Sequence, residues 1–390
     1  MAVGNIHITL TPFSNESRLL KETDTLLKFD VVDRICIVAR HQAGLEPAEV
    51  LDAQRQVRRV VLRSRNWPNW LFGQLVKYVE FAWCVFVIAR DYRAEIFNVH
   101  HVALLPIGAL LKLFFGGRLV YDAHELETEA VGLRGLRKLG AKLIERLFIR
   151  LADLVIVVSP GIELWYREHY PRAPIVTIFN FPHYEPRRRS SLLRERLGIP
   201  ADRRIALYQG MLTTSRGVEN LINGAAQLEA AGYAVVFMGY GPLVPLVNEA
   251  AARSPNIYLQ PAVPPREVMP YTSSAQTGFA WMVDSCLSYR LCLPNKLFEY
   301  IMARIPVITS KLPEMQRIVE DGALGACLAV WEADALKEAL ATVDAMRGEE
   351  LDARLDAAAE KYCWENQEST LISAYRKHVL GPSGSTLEPT

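Results

Sequence analysis

The sequence predicts an α/β protein made of two tandem, doubly wound, Rossmann-like domains facing a cleft. Three observations carry this. Short β-branched runs alternate with longer amphipathic stretches through the first half, the pattern of a parallel sheet with crossover helices. The alternation stops over 183–203, a polar and basic stretch containing HYEPRRRSS, and then begins again. The chain has 390 residues, which leaves room for two domains at roughly 100–200 residues each.

In the first half, 6–10, 35–38, 59–62, 96–99, 119–121 and 154–158 read as buried strands. Helical patterns over 17–29, 70–89, 102–115 and 133–152 lie between them. Ser159-Pro160-Gly161 is a helix start, with serine as cap and proline in the first turn. Residues 1–182 are taken as the first domain and 183–203 as a linker. In the second domain, 204–364, strands are expected at 205–209, 234–238, 257–259, 277–281 and 306–309. Helices are expected at 218–230, 243–252, 266–274, 296–302 and 333–345. The tail 381–390, GPSGSTLEPT, has the composition of a disordered end.

Lys plus Arg is 44 and Asp plus Glu is 43, a formal charge of +1. That balance argues against nucleic acid as a partner. Hydrophobic residues at 50% and charged residues at 22% exclude a disordered chain. The six cysteines form no C-x-x-C pair and read as buried thiols in a reducing compartment. MAVGNIHITL lacks the basic and apolar regions of a signal peptide. The apolar runs 81–89 and 102–115 fall short of a bilayer span and are expected to be core helices. The expected location is the cytoplasm, with any membrane contact peripheral.

The richest stretch is Leu293-Pro294-Asn295-Lys296-Leu297-Phe298-Glu299-Tyr300. Pro294 and Asn295 can open a helix whose first N–H groups suit a phosphate. Lys296 places a cation where the helix dipole disfavours one, which points to an anionic partner. Glu299, a turn later, can accept from a ribose diol. The bland alternative is a surface Lys–Glu pair. Gly210 follows a strand, and Arg216 precedes a helix, a fitting place to meet a diphosphate; the alternative is a surface arginine. Gly239-Tyr240-Gly241 makes a tight strand-to-helix turn, weak evidence alone. In the first half, His124 and Glu125 follow a strand at its carboxyl edge, where site residues gather. His100 and His101 also follow a strand and read as structural.

At these residues the chain resembles the retaining nucleotide-sugar glycosyltransferases of the GT-B fold, a family that includes bacterial cell-envelope sugar transferases. The motifs are YQGML, RGVENLI, GYGPL and LPNKLFEYIMARIPVITS, with YDAHE, ADLVIVVS and IFNFP in the first half. The resemblance implies an acceptor domain first and a nucleotide-sugar domain second, with 365–380 crossing back onto the first. It implies Arg216 and Lys296 on the diphosphate, Glu299 on the ribose and His124 near the donor sugar. Gly210, Gly239, Gly241, Asn295 and Tyr289 join the donor side, and Ser14, Asn15, Arg18 and Glu125 the acceptor side. Three departures stand out: Leu291 replaces the first glutamate of the family's E-x7-E pair, Met211 an expected arginine, and the first loop, 11–16, lacks the frequent glycine pair.

The implied reaction moves a sugar from a nucleoside diphosphate to a glycan or lipid-linked acceptor hydroxyl, with retention. No metal or other cofactor is expected, since cations and helix N–H groups can carry the leaving charge. Rival readings are a sugar-nucleotide 2-epimerase and a non-catalytic partner subunit. Over 133–152, leucines form an apolar face and Arg134, Lys138, Lys142, Arg146 and Arg150 a winding basic row. That row suits an anionic membrane surface, the alternative being a core-packed helix with a solvated basic side.

Overall fold

The computed structural model describes residues 3–14, 16–68 and 70–381. It divides into two compact units, Met1–Ile178 with Glu368–Thr390, and Phe179–Gln367. Asn15 and tail residues 382–390 lie outside the described residues.

The first unit holds one sheet built from β1 (Gly4–Ile8), β2 (Arg34–Arg40), β3 (Ala48–Val50), β4 (Arg55–Val60), β5 (Ile96–Val99), β6 (Arg118–Asp122), β7 (Leu154–Val157) and β8 (Ile175–Thr177). Their order is β3-β4-β2-β1-β5-β6-β7-β8. All pairs are parallel except that β3 runs antiparallel to β4 at the edge. Every residue of β1, β5 and β7 is buried, as expected of strands covered on both faces. Strand order reverses between β1 and β5, the switch point at which open α/β sheets place ligands. The residues after Glu368 belong to this unit. Lys28 Nζ donates to Glu368 Oε2 at 2.7 Å, and the Asn98 amide donates to the Tyr375 hydroxyl.

The second unit holds β9 (Arg204–Met211), β10 (Tyr233–Tyr240), β11 (Ile257–Pro261), β12 (Thr277–Ala280), β13 (Val307–Ser310) and β14 (Gly325–Leu328). The order β11-β10-β9-β12-β13-β14 is fully parallel. Counted within the unit this is 3-2-1-4-5-6, the Rossmann order, and the switch point lies between β9 and β12.

Several expectations change. The stretch 183–203 is no linker. It contains the helix Leu192–Leu197, and Leu193 and Ile199 are buried in the second unit's core. Arg187 there pairs with Asp352 and Asp356 on the helix Glu349–Lys361. The helix expected over 218–230 is broken at Gly224, where a side chain would press on Leu336 and Trp331. Of the six thiols, only Cys36 and Cys363 are buried. The run 81–89 belongs to a longer helix, Leu71–Tyr92, with one side inward: Phe81, Val85 and Ala89 are buried while Trp83 is exposed. The leucines of the helix Gly135–Phe148 do not pack inward either. Leu136, Leu139, Leu143 and Leu147 are exposed, and the buried residue is Glu145, which accepts from the Tyr166 and Tyr170 hydroxyls at 2.5 and 2.9 Å.

Candidate functional site

The second unit gathers its candidates at the switch point. β9 ends at Gly210 and Met211, and the helix Asn295–Met302 brings Lys296 and Glu299 to the same edge. Lys296 is only 7% exposed. Its Nζ lies 3.4 Å from the centre of the Tyr208 ring and has no hydrogen-bond partner among the described residues. The surface Lys–Glu pair is therefore excluded. Burial, then the nearby Arg216 charge, holds the Lys296 amine well below its ordinary value, against the pull of Glu299. A buried, unsatisfied ammonium beside a second cation is costly unless an anion joins it.

Glu299 is fixed by its floor. The Gln209 side-chain amide donates to Glu299, and the Gln209 carbonyl accepts from Thr272 Oγ1 at 2.7 Å. The Gln209 backbone N–H donates to the Tyr300 hydroxyl at 3.0 Å. Arg216 lies before the helix Val218–Asn223, with its guanidinium 5.7 Å from the Tyr289 ring centre. Gly210 keeps the wall next to Lys296 thin: a side chain there would begin 3.8 Å from Lys296 Cε. Gly239 has a packing role, because a Cβ would sit 1.9 Å from the Gly210 carbonyl oxygen of the paired strand. Gly241 ends the same turn after β10. Asn295 does not cap its helix. Pro294 holds the cap position, and Asn295 Oδ1 accepts from Asn180 Nδ2 at 3.0 Å.

The first unit brings together a denser polar group at its own switch point. Asp122, the last residue of β6, is fully buried and accepts from Arg18 Nε and Nη2 at 3.0 and 2.7 Å. His100 Nδ1 lies 3.1 Å and His124 Nε2 2.8 Å from Asp122 Oδ2. His7 Nδ1 continues the row to His100 Nε2 at 3.0 Å. With four donors around it, the Asp122 carboxyl stays ionised; burial opposes this, and Arg18 first, then His124, hold it well below the usual range. Burial lowers His7 and brings His100 to about 4, so both are neutral at pH 7.

A consistent proton placement follows from these contacts. His7 Nδ1–H donates to His100 Nε2, and His100 Nδ1–H and His124 Nε2–H both donate to Asp122. His124 is 27% exposed, with its Nε2 engaged by Asp122. Arg18 is removed from the acceptor candidates: it is 4% exposed and spent on Asp122, Glu22 and the Ile178 carbonyl. Ser14 is exposed and Glu125 half-buried. His100 is buried between His7 and Asp122, and His101 pairs with Glu127 at 3.3 Å.

Sequence reasoning missed Asn5, His7, Glu22 and Asp122 in the first unit, and Tyr208, Gln209 and Thr272 in the second. A signal existed in β1 and β5: polar residues at alternate positions, Asn5 and His7, Asn98 and His100, in otherwise apolar strands. The expectation of no metal meets two groupings of possible ligands, His7–Glu22–His100 and His100–Asp122–His124. The Arg18 guanidinium, which doubly engages Asp122 and adjoins Glu22, fits such an ion poorly.

The two units match two family models. Residues 33–182 match Glycosyltransferase Family 4, and residues 203–344 match Glycosyl transferases group 1. The chain belongs to the glycosyltransferases of the GT-B fold, the class whose donors are nucleotide sugars. No curated protein gives a significant match. Among solved structures, the sucrose-phosphate synthase of Thermosynechococcus elongatus is similar at 16% identity and a TM-score of 0.79, covering 96% of this chain and 98% of that one. Anabaena HepE in complex with UDP-glucose is similar at 15% identity and 0.72, covering 95% and 98%. WaaG, a glycosyltransferase involved in lipopolysaccharide biosynthesis, is similar at 14% and 0.68, covering 95% and 98%.

Proposed function

We propose that the protein transfers a hexose from a nucleoside diphosphate to a hydroxyl of a glycan or lipid-linked acceptor, with retention, in bacterial polysaccharide or glycolipid assembly. The observation that carries the donor side is the orphaned Lys296 ammonium beside Arg216, at a Rossmann switch point. HepE with UDP-glucose and WaaG in lipopolysaccharide biosynthesis have the same fold and support the donor and acceptor classes.

In the reaction the bond from the anomeric carbon to the diphosphate oxygen breaks and the acceptor oxygen bonds to the same face. The leaving diphosphate takes the acceptor proton. Negative charge grows on the diphosphate, so groups that meet it there lower the barrier directly. Lys296, Arg216 and the first N–H groups of the helix Asn295–Met302 are assigned that role, with no resident metal. Glu299, steadied by Gln209, accepts from the ribose diol. In the first unit, His124 hydrogen-bonds a sugar hydroxyl, while Asp122 holds its ring.

A panel of nucleotide sugars tests the reading, with products followed by NMR. Slow release of nucleoside diphosphate and a sugar of unchanged anomeric configuration is expected. An epimerised nucleotide sugar would favour the 2-epimerase, and no turnover with any donor would favour a non-catalytic subunit.

A further inference from the structure

The helix Leu71–Tyr92 is long and apolar enough to cross a membrane, yet only 17% of its most apolar stretch is buried. A core helix would be covered. It also cannot span a bilayer while this fold is intact, because β4 leads into it and β5 follows it in the same sheet. Both ends stay on one side, so the helix can only lie along a surface.

Its sides are sharply different. Gly73, Phe81, Val85 and Ala89 face the domain. Leu71, Leu75, Val79 and Trp83 recur every four residues and face outward, Leu71 at 84% exposure and Trp83 at 67%. The charges in its middle are turned back: Glu80 accepts from Ser64 N at 3.0 Å, and Lys77 donates to the Trp67 carbonyl at 2.7 Å. Trp67 and Trp70 stand exposed just before the helix. An apolar-lined groove of about 970 Å³ runs between this helix and Val60–Trp67.

Two more helices extend the face. Phe86 meets Phe114 and Phe115 of the helix Leu105–Phe115 at ring distances of 5.5 and 4.9 Å. Leu113 and Phe114 there are exposed, while Lys112 turns away to Asp153. The helix Gly135–Phe148 packs beside it and adds its four exposed leucines. At 100° per residue Arg137 and Arg146 fall on opposite sides of that leucine arc, and Arg134 and Arg150 are exposed at the helix ends. Lys138 and Lys142 are not available, since both pair with Glu129 at 2.5 Å.

We propose that these three helices form a monotopic insertion face for an anionic phospholipid bilayer. Leu71, Phe72, Leu75, Trp83, Leu113 and Phe114 enter the acyl boundary, Trp67 and Trp70 sit at headgroup level, and the four arginines meet lipid phosphates. Large apolar side chains exposed together on three helices that pack in sequence mark an interaction surface. The charge favours lipid over a second copy, because pairing through this face would gather the arginines of both copies at one interface, whereas lipid phosphates neutralise them. The face would adsorb whether or not the second unit transfers sugar.

The test uses the full chain with vesicles of phosphatidylglycerol and phosphatidylcholine in equal parts. Co-sedimentation and a blue shift of tryptophan emission are expected, falling but not vanishing at high salt, because apolar insertion is not screened. The exposed triple Leu71→Glu, Leu75→Glu, Trp83→Glu should lower the bound fraction at least about tenfold, with unchanged far-ultraviolet circular dichroism and nucleoside diphosphate affinity. Arg137→Glu with Arg146→Glu should weaken binding mainly at low salt. No adsorption of wild type at low salt overturns the proposal. So does adsorption that the triple leaves intact, or a concentration-dependent dimer that the triple disperses.

Discussion

The Lys296 ammonium rests 3.4 Å from the centre of the Tyr208 ring, buried and without a hydrogen-bond acceptor. The π face offsets part of its desolvation, and Arg216 nearby adds repulsion. The pair is poised for an anion, and the donor-side expectations rest on it.

Glu299 should matter to affinity through the nucleoside. Glu299→Ala is expected to weaken nucleoside diphosphate binding by about 1.5–3 kcal/mol per charge-assisted bond lost, measured by calorimetry. Gln209→Leu, which removes the donor to Glu299, should show part of that loss. Unchanged affinity in Glu299→Ala would remove the ribose assignment.

His124 should matter to transfer alone. His124→Ala is expected to abolish product formation and leave nucleoside diphosphate affinity unchanged, since the nucleotide is assigned to the other unit. Asp122→Asn should instead unfold or strongly destabilise the protein, because Arg18 would lose its buried counter-charge. A stable, active His124→Ala enzyme would return the histidine to a structural role.

Stability should fall as pH drops from about 6.5 toward 4. His7 and His100 are held neutral in the folded state, while in the unfolded chain they protonate through this window. The unfolded state therefore binds more protons, and each such group gives a slope of up to about 1.4 kcal/mol per pH unit. Glu22, raised by burial, opposes them, because the folded state then holds its proton above the ordinary carboxyl range. Urea midpoints across pH check the balance. His100→Asn should flatten the profile; an identical slope would show that the row does not titrate as described.

Gly239→Ala should cost stability with no ligand present. Its Cβ would fall 1.9 Å from the Gly210 carbonyl oxygen, and backbone held by the β9–β10 pairing cannot yield easily. A lowered urea midpoint at unchanged slope is expected; wild-type stability would mean that β9 and β10 tolerate a shift.

Much of the fold was legible because parallel strands buried on both faces are near-continuous apolar runs, as in Leu154–Val157. β3, β8 and β14 were missed: the first is a wholly exposed edge strand, the second only three residues long, and the third a four-residue edge strand that opens on Gly325. At the donor site, Lys296 and Glu299 were readable from a cation set against a helix start. Gln209 and Thr272 were not, because they act across β9 on residues distant in sequence. The leucines of Gly135–Phe148 left a core-packed alternative open for a physical reason. Periodicity reports which residues share a side, and says nothing of what covers it.

The most direct test is proton uptake on nucleoside diphosphate binding, taken from calorimetry in buffers of different ionisation enthalpy. The folded protein disfavours the protonated form of Lys296, and a bound diphosphate restores it. Binding should therefore draw in protons over the range where free Lys296 is partly neutral, and weaken as pH rises. Lys296→Met should abolish the uptake and bind at least about tenfold more weakly, as expected for loss of one buried charge-assisted contact. Equal affinity in the variant, with no uptake in wild type, would contradict the account of the second unit as a diphosphate site built around this lysine.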